Sequence, residues 1–115
     1  MVKITGELKL KVLPNGMWCE LLEDLHGMVD DTAFCVQEGF QTDFASVPKL
    51  FWNIIPPMGL HTVAAVVHDF IYSHGLYPRK EADRIFYKLM RFYGVGRIKA
   101  GLMWSMVRLF GWLHY

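Results

Sequence analysis

The chain has 115 residues and 13.4 kDa, of which 53% are hydrophobic, 15% aromatic and only 20% charged. Folding at this length buries roughly two-thirds of the surface that the open chain exposes, enough for one core and too little for two independent ones. Abundant Trp, Phe, Tyr, Val and Leu exclude disorder, because polar, charge-rich sequences are the ones that cannot offset chain entropy. Twelve Lys and Arg against eleven Asp and Glu leave a formal charge of +1, so charge carries no strong nucleic-acid signal and any basic surface is local.

The amino-terminal residues alternate. Ile4, Leu8, Leu10 and Val12 fall on one side and Lys3, Thr5, Glu7, Lys9 and Lys11 on the other, the pattern of a half-buried strand. Pro14-Asn15-Gly16 supplies a turn, since Asn and Gly tolerate the positive φ of tight hairpins. The return strand is predicted over residues 17–22, punctuation over 23–27, and a third strand over 33–37 that ends at Gly39. Residues 40–59, rich in Asp, Ser, Thr and Pro, read as an irregular connection of the kind on which sites are often built.

From residue 60 the period becomes helical. Residues 60–74 are apolar nearly all round, as in a buried central helix. Gly75 closes that helix and Pro78 opens the next, over about 79–93, with Ala82, Ile85, Phe86, Leu89 and Phe92 on one arc and Lys80, Arg84, Lys88 and Arg91 opposite. Gly94 and Gly96 precede a third helix over about 97–112. The expectation is a single α+β domain spanning 1–115, a small antiparallel sheet within 1–39 followed by a three-helix unit.

Two cysteines, Cys19 and Cys35, allow at most one bridge. The first residues lack the apolar core of a secretory signal, which predicts a reducing compartment and free thiols. No apolar run reaches the ~18 residues of a membrane span, since Arg108 interrupts the stretch 101–113. The hydrophobic content leaves room for a partner, a homo-oligomer or an interfacial role.

Residues with chemical potential cluster on the first two helices. His68 and Tyr72 are four residues apart and so about 40° apart around a helix axis, with Asp69 turned by about 100° into a neighbouring sector and His61 about 20° from His68. A four-residue connector, 75–78, makes the two helices antiparallel and brings Asp83 opposite the end of the first. An imidazole that takes a proton from water, a carboxylate that fixes its tautomer and a second carboxylate that holds a hard cation together suit ester hydrolysis. The same residues have plainer uses. A buried His-Asp pair is a common hydrogen-bonded core element, and Arg79 and Lys80 stand at helical spacing to pair with Asp83. Asp43 caps a turn or reaches the His68 site, Ser46 lacks a nucleophile elbow around it, and His61, Asp69 and Asp43 have zinc-ligand chemistry without the spacing of a zinc motif. On the third helix Arg97, Gly101, Trp104, Arg108 and Trp112 share a stripe. That stripe suits a lipid headgroup region, a nucleic-acid backbone or a protein interface, or else two packed indoles beside solvated arginines.

Four blocks, Gly39-Phe40-Gln41-Thr42-Asp43-Phe44-Ala45-Ser46-Val47-Pro48, Ala64-Ala65-Val66-Val67-His68-Asp69-Phe70-Ile71-Tyr72, Glu81-Ala82-Asp83-Arg84-Ile85-Phe86 and Val107-Arg108-Leu109-Phe110-Gly111-Trp112, resemble a family of small phage and prophage proteins catalogued only as a domain of unknown function. That resemblance implies a viral or prophage origin, a place in the host cytoplasm or the virion, and a phage structural protein as a candidate partner. Over about a fifth of the chain, His-Asp-x-x-Tyr followed by Ala-Asp also resembles the catalytic helix pair of phospholipase A-two enzymes. This second resemblance implies His68 as base, Asp83 as its orienting partner, Tyr72 as a supporting phenol, Asp69 as a calcium ligand and phospholipid as substrate. The glycine-rich calcium loop and the disulfide framework of secreted members are not evident. A virion, tail or host-interaction protein in which these residues are structural is the alternative.

Overall fold

The computed structural model describes residues 1–14, 18–42 and 61–110, and the chain divides into two compact units, Met1–Asp43 and Phe44–Tyr115. The architecture is α+β: six strands, β1 (Val2–Thr5), β2 (Leu10–Val12), β3 (Cys19–Leu21), β4 (Leu25–Val29), β5 (Thr32–Val36) and β6 (Gln41–Thr42), precede three helices.

In the first unit the strands form two antiparallel sheets of three, ordered β1-β4-β5 and β2-β3-β6. The alternation over residues 3–12 is therefore not one strand. Gly6, at φ +90°, takes a backbone conformation that side-chain-bearing residues avoid, ends β1 and lets β2 join the other sheet. Ile4 stays on the half-buried side of β1, whereas Val12 is 61% exposed. The hairpin expected around residue 15 is present as β2 paired with β3, Val12 opposite Cys19, with Leu13 N–H donating to the Trp18 carbonyl at 2.9 Å; residues 15–17 lie outside the described part.

The punctuation expected over 23–27 instead runs into β4. Its turn comes later, at Asp30-Asp31, between the opposed residues Val29 and Thr32. Asp30 adopts φ 53°, which Asp tolerates because its short side chain can bond locally, and its carboxylate meets the amino terminus at 2.5 Å. Leu25 and Val29 on β4, and Phe34 and Val36 on β5, are buried at period two. Gly27 has a steric role: a Cβ there would stand 2.3 Å from the Phe34 ring and 2.8 Å from Ile4 Cδ1.

In the second unit, α1 (Thr62–His74), α2 (Arg79–Phe92) and α3 (Arg97–Phe110) follow the predicted order, and α2 packs against both neighbours. Helix α1 buries Ala64, Ala65, Val66, Val67, His68, Phe70, Ile71 and Tyr72, nearly its full circumference. It stops at Gly75, φ 58°, where Gly75 N–H bonds the Tyr72 carbonyl and Leu76 N–H the Ile71 carbonyl, both at 3.3 Å; these paired bonds satisfy carbonyls that the helix end leaves open. Helix α2 begins directly after Pro78, whose fixed φ suits a helix entrance. Its buried arc is Ala82, Asp83, Ile85, Phe86, Leu89 and Met90. Phe92, expected on that arc, is 52% exposed at the helix end, where it meets Tyr93 edge-on at 5.1 Å. None of the described helices is long and apolar enough to cross a membrane.

Replacing Gly27 by Ala should destabilise the first unit by about 1 to 3 kcal/mol, because the Phe34 ring has to move. Denaturant unfolding checks this, and Phe34→Leu in the same chain should recover part of the loss.

Candidate functional site

The site is built around one carboxylate. Asp83 occupies the second turn of α2 and is 0% exposed. An ionised group taken out of water needs charged or hydrogen-bonding partners to replace the lost hydration. Asp83 has them from all three helices. From α1, His68 Nε2 donates to Oδ1 at 2.7 Å and the Tyr72 hydroxyl donates to the same oxygen at 2.5 Å. From α3, Arg108 donates to Oδ2 at 2.9 Å, and Arg79, one turn earlier on α2, holds its Nε 3.9 Å from Oδ2. Arg79 also donates to the backbone carbonyl of Arg108, so the two arginines are tied to each other.

Helical spacing explains the first pair. His68 and Tyr72, one turn apart, present ring and phenol to the same partner, their ring centroids 4.1 Å apart. Phe86 of α2 covers the imidazole at 4.7 Å. Because Nε2 is committed to Asp83 as a donor, the remaining ring nitrogen, Nδ1, is either a lone-pair acceptor or a second N–H. It is buried and has no hydrogen-bond partner among the described residues.

The electrostatics follow from this packing. Burial by itself raises the Asp83 carboxyl, but hydrogen bonds from His68 and Tyr72, the charge of His68 and the bond from Arg108 outweigh it, and the group lies below its ordinary 3.8. Tyr72 moves upward from 10.0, first because it is buried and then because its phenol faces the Asp83 carboxylate, with Arg79 opposing in part.

Three of the residues read from the sequence, His68, Tyr72 and Asp83, thus come together, and Arg79 pairs with Asp83 as its spacing allowed. Asp69 is half-buried and stands in the neighbouring sector of α1. His61 is buried just before the helix, its carbonyl accepting the Ala65 N–H at 2.9 Å. Asp43, Ser46 and Trp112 lie outside the described residues. The stripe on α3 is divided: Arg97 is exposed, Trp104 is 39% exposed, and Arg108 turns inward to Asp83 instead of serving as a surface cation. Sequence reading missed that role, since a residue 25 positions from its partner leaves no periodic signal.

The network should hold the second unit together within a window of pH. Asp83 binds its proton more weakly folded than unfolded, so its contribution is full above pH 3.8 and is lost as pH falls through the lower folded value. Tyr72 binds its proton more tightly folded, so its contribution is full below pH 10.0 and is lost as pH rises beyond it. Urea unfolding across pH should show both limbs. Tyr72→Phe should shrink the alkaline limb, to which Tyr93, raised by its burial, also contributes, and cost about 1.5 to 3 kcal/mol near neutrality, the range for a bond to a charged group.

The chain is 36% identical over 78 residues to the uncharacterized protein y4jT of Sinorhizobium fredii (strain NBRC 101917 / NGR234), a match covering 66% of this chain and 23% of that protein. It is 31% identical over 111 residues to the uncharacterized protein y4iH of the same strain, covering 93% of this chain and 46% of the relative. It therefore spans less than half the length of either. No solved structure gives a significant match. Residues 19–107 match the family described as "Protein of unknown function (DUF1353)", which takes in β3 through most of α3, and the chain belongs to that family.

Proposed function

We propose that this chain acts by binding and not by turnover, as an accessory or host-interaction protein of phage type in which His68, Tyr72 and Asp83 are a helix lock. The observation that carries this reading is the enclosure of the pair: the side chains of His68 and Asp83 are both 0% exposed, and both carboxylate oxygens are engaged by donors, from α1 and from α3. A substrate ester has no route to a base sealed in this way. Asp83 also faces two guanidinium groups, those of Arg79 and Arg108.

For a partner, the second unit offers a groove of about 690 Å³ between α2 and α3. Pro78, Tyr87 and Trp104 form apolar wall, and Lys80, Arg84 and Lys88 stand one per turn along its rim, with Arg84 paired to Glu81 at 3.1 Å. Aromatic floor with basic rim suits a protein segment that carries acidic and apolar side chains, such as one on a phage structural protein.

A second reading is favoured by one observation, that the buried Nδ1 of His68 has no hydrogen-bond partner among the described residues. A buried nitrogen without a partner is unusual in a purely structural residue, and an imidazole oriented by a carboxylate with its far nitrogen unoccupied is the arrangement of a general base. In that reading Nδ1 takes a proton from water, the water oxygen attacks the carbonyl carbon of a phospholipid ester, and the acyl C–O bond breaks as the departing alkoxide recovers the proton from Nδ1. Asp83 fixes the tautomer and Tyr72 stays protonated beside it. Calcium at Asp69 would need further oxygens, since the ion takes six to eight and among the described residues no group of three ligating side chains includes Asp69. No step is therefore assigned to it.

Fatty-acid release from phospholipid vesicles, with and without added calcium, separates the readings when paired with thermal melts. As a lock, the wild-type protein releases no fatty acid, and Asp83→Ala lowers stability by about 3 to 5 kcal/mol, the cost of breaking a buried charged network. Release by the wild type that disappears in His68→Gln while the melting temperature holds would establish the hydrolase instead; the Gln amide can still donate to Asp83, so the fold is expected to survive.

A further inference from the structure

We infer that Asp24, His26 and Cys35, on the β4–β5 hairpin of the first unit, form a site for a borderline-soft divalent metal of the Zn²⁺ class. In the hairpin register His26 stands directly opposite Cys35, and opposed residues in an antiparallel pair project from the same face with Cβ atoms about 4.5 to 5.5 Å apart. Their neighbours Leu25, Phe34 and Val36 are buried on the other face, so His26 and Cys35 point outward by alternation. Asp24, two positions before His26, falls on that outward face as well.

One ligand atom from each of the three, a carboxylate oxygen, an imidazole nitrogen and the Sγ, lies within 4.8 Å of the others. The Sγ to Nε2 distance is 4.0 Å. A tetrahedral zinc with a metal–sulfur bond of ~2.3 Å and nitrogen and oxygen bonds of ~2.0 to 2.2 Å places its ligand atoms about 3.5 Å apart. Small rotations of the side chains close that difference. Asp24 and His26 are exposed and Cys35 is half-buried, so an ion reaches them from solution.

The donor set selects the metal. A thiolate and an imidazole favour zinc-like ions over calcium or magnesium, which take oxygen. Carboxylate and thiolate together match the double charge. On binding, the Cys35 S–H bond breaks, its proton passes to solvent, and the sulfur bonds the metal; no electron is transferred. The Asp24 Oδ1 accepts the Glu38 backbone N–H at 2.7 Å, which orients the carboxylate much as outer partners orient ligands in metal sites. Three protein ligands leave the fourth position to water, the open form of a zinc site. Among the described residues this is the one such grouping of three.

Titration calorimetry of the whole chain with zinc chloride, without chelator, tests the site. One ion per chain is expected, with a buffer-dependent heat reporting the released proton. Cobalt(II) in place of zinc should show a thiolate charge-transfer band in the near ultraviolet. Cys35→Ser should abolish that band and His26→Ala should abolish saturable binding. Cys19→Ala, altering the buried second cysteine, should leave both intact. Melts without metal should be unchanged by Cys35→Ser and His26→Ala. Failure of the wild type to bind zinc, binding that survives Cys35→Ser combined with His26→Ala, or one ion shared by two chains would each overturn the assignment.

Discussion

The second unit depends on the satisfaction of a single buried negative charge. An ionised carboxylate held out of water costs several kcal/mol unless its lone pairs are met, so its position dictates where donors must stand. Asp83 meets that requirement with two donors from one helix, one from another, and an arginine on its own helix. Removing any of these donors leaves part of the buried carboxylate without the partner that replaced its hydration. Apolar surface supplies most of the driving force for packing α2 against its neighbours, but it is non-directional and tolerates sliding. The carboxylate fixes the register: His68 and Tyr72 reach the same oxygen only when their turn of α1 lies level with the second turn of α2.

What could be read from the sequence follows from which interactions are local. His68 and Tyr72 share a helix face by spacing alone, and Gly75 and Pro78 mark a connector too short to permit anything but adjacent helices, so Asp83 could be brought to them on paper. Arg108 could not. Its charge and the neighbouring indole Trp104 read as surface features, while the bond to Asp83 depends on how α3 returns to α2, which no periodicity encodes. Phe92 shows the complementary error, a residue with the right spacing placed where the helix has run out of partner.

The strands were legible in type and less so in extent. Alternation over residues 3–12 is real on both sides of Gly6, but a left-handed glycine breaks the pairing without breaking the pattern. The β4–β5 turn carries Asp-Asp and not the Asn-Gly or Asp-Gly that announces a hairpin, and a residue pair such as His26 and Cys35 becomes a neighbour only once that turn is known. The separation of Cys35 from Asp24 and His26 in sequence resembles no zinc spacing motif, because here the strand pairing, and not a knuckle or helix, brings the ligands together.

The two clusters have opposite charge balances, and this is why they invite opposite assignments. Around Asp83 one anion faces two guanidinium groups whose outer parts remain partly in solvent, with side-chain exposures of 24% for Arg79 and 33% for Arg108. The carboxylate is thus met by positive charge from its own helix and from α3. On the hairpin, a carboxylate and a thiol with an imidazole between them reach neutrality by exchanging a proton for a doubly charged ion. Burial closes the first arrangement off from solvent. Exposure leaves the second able to exchange with solution.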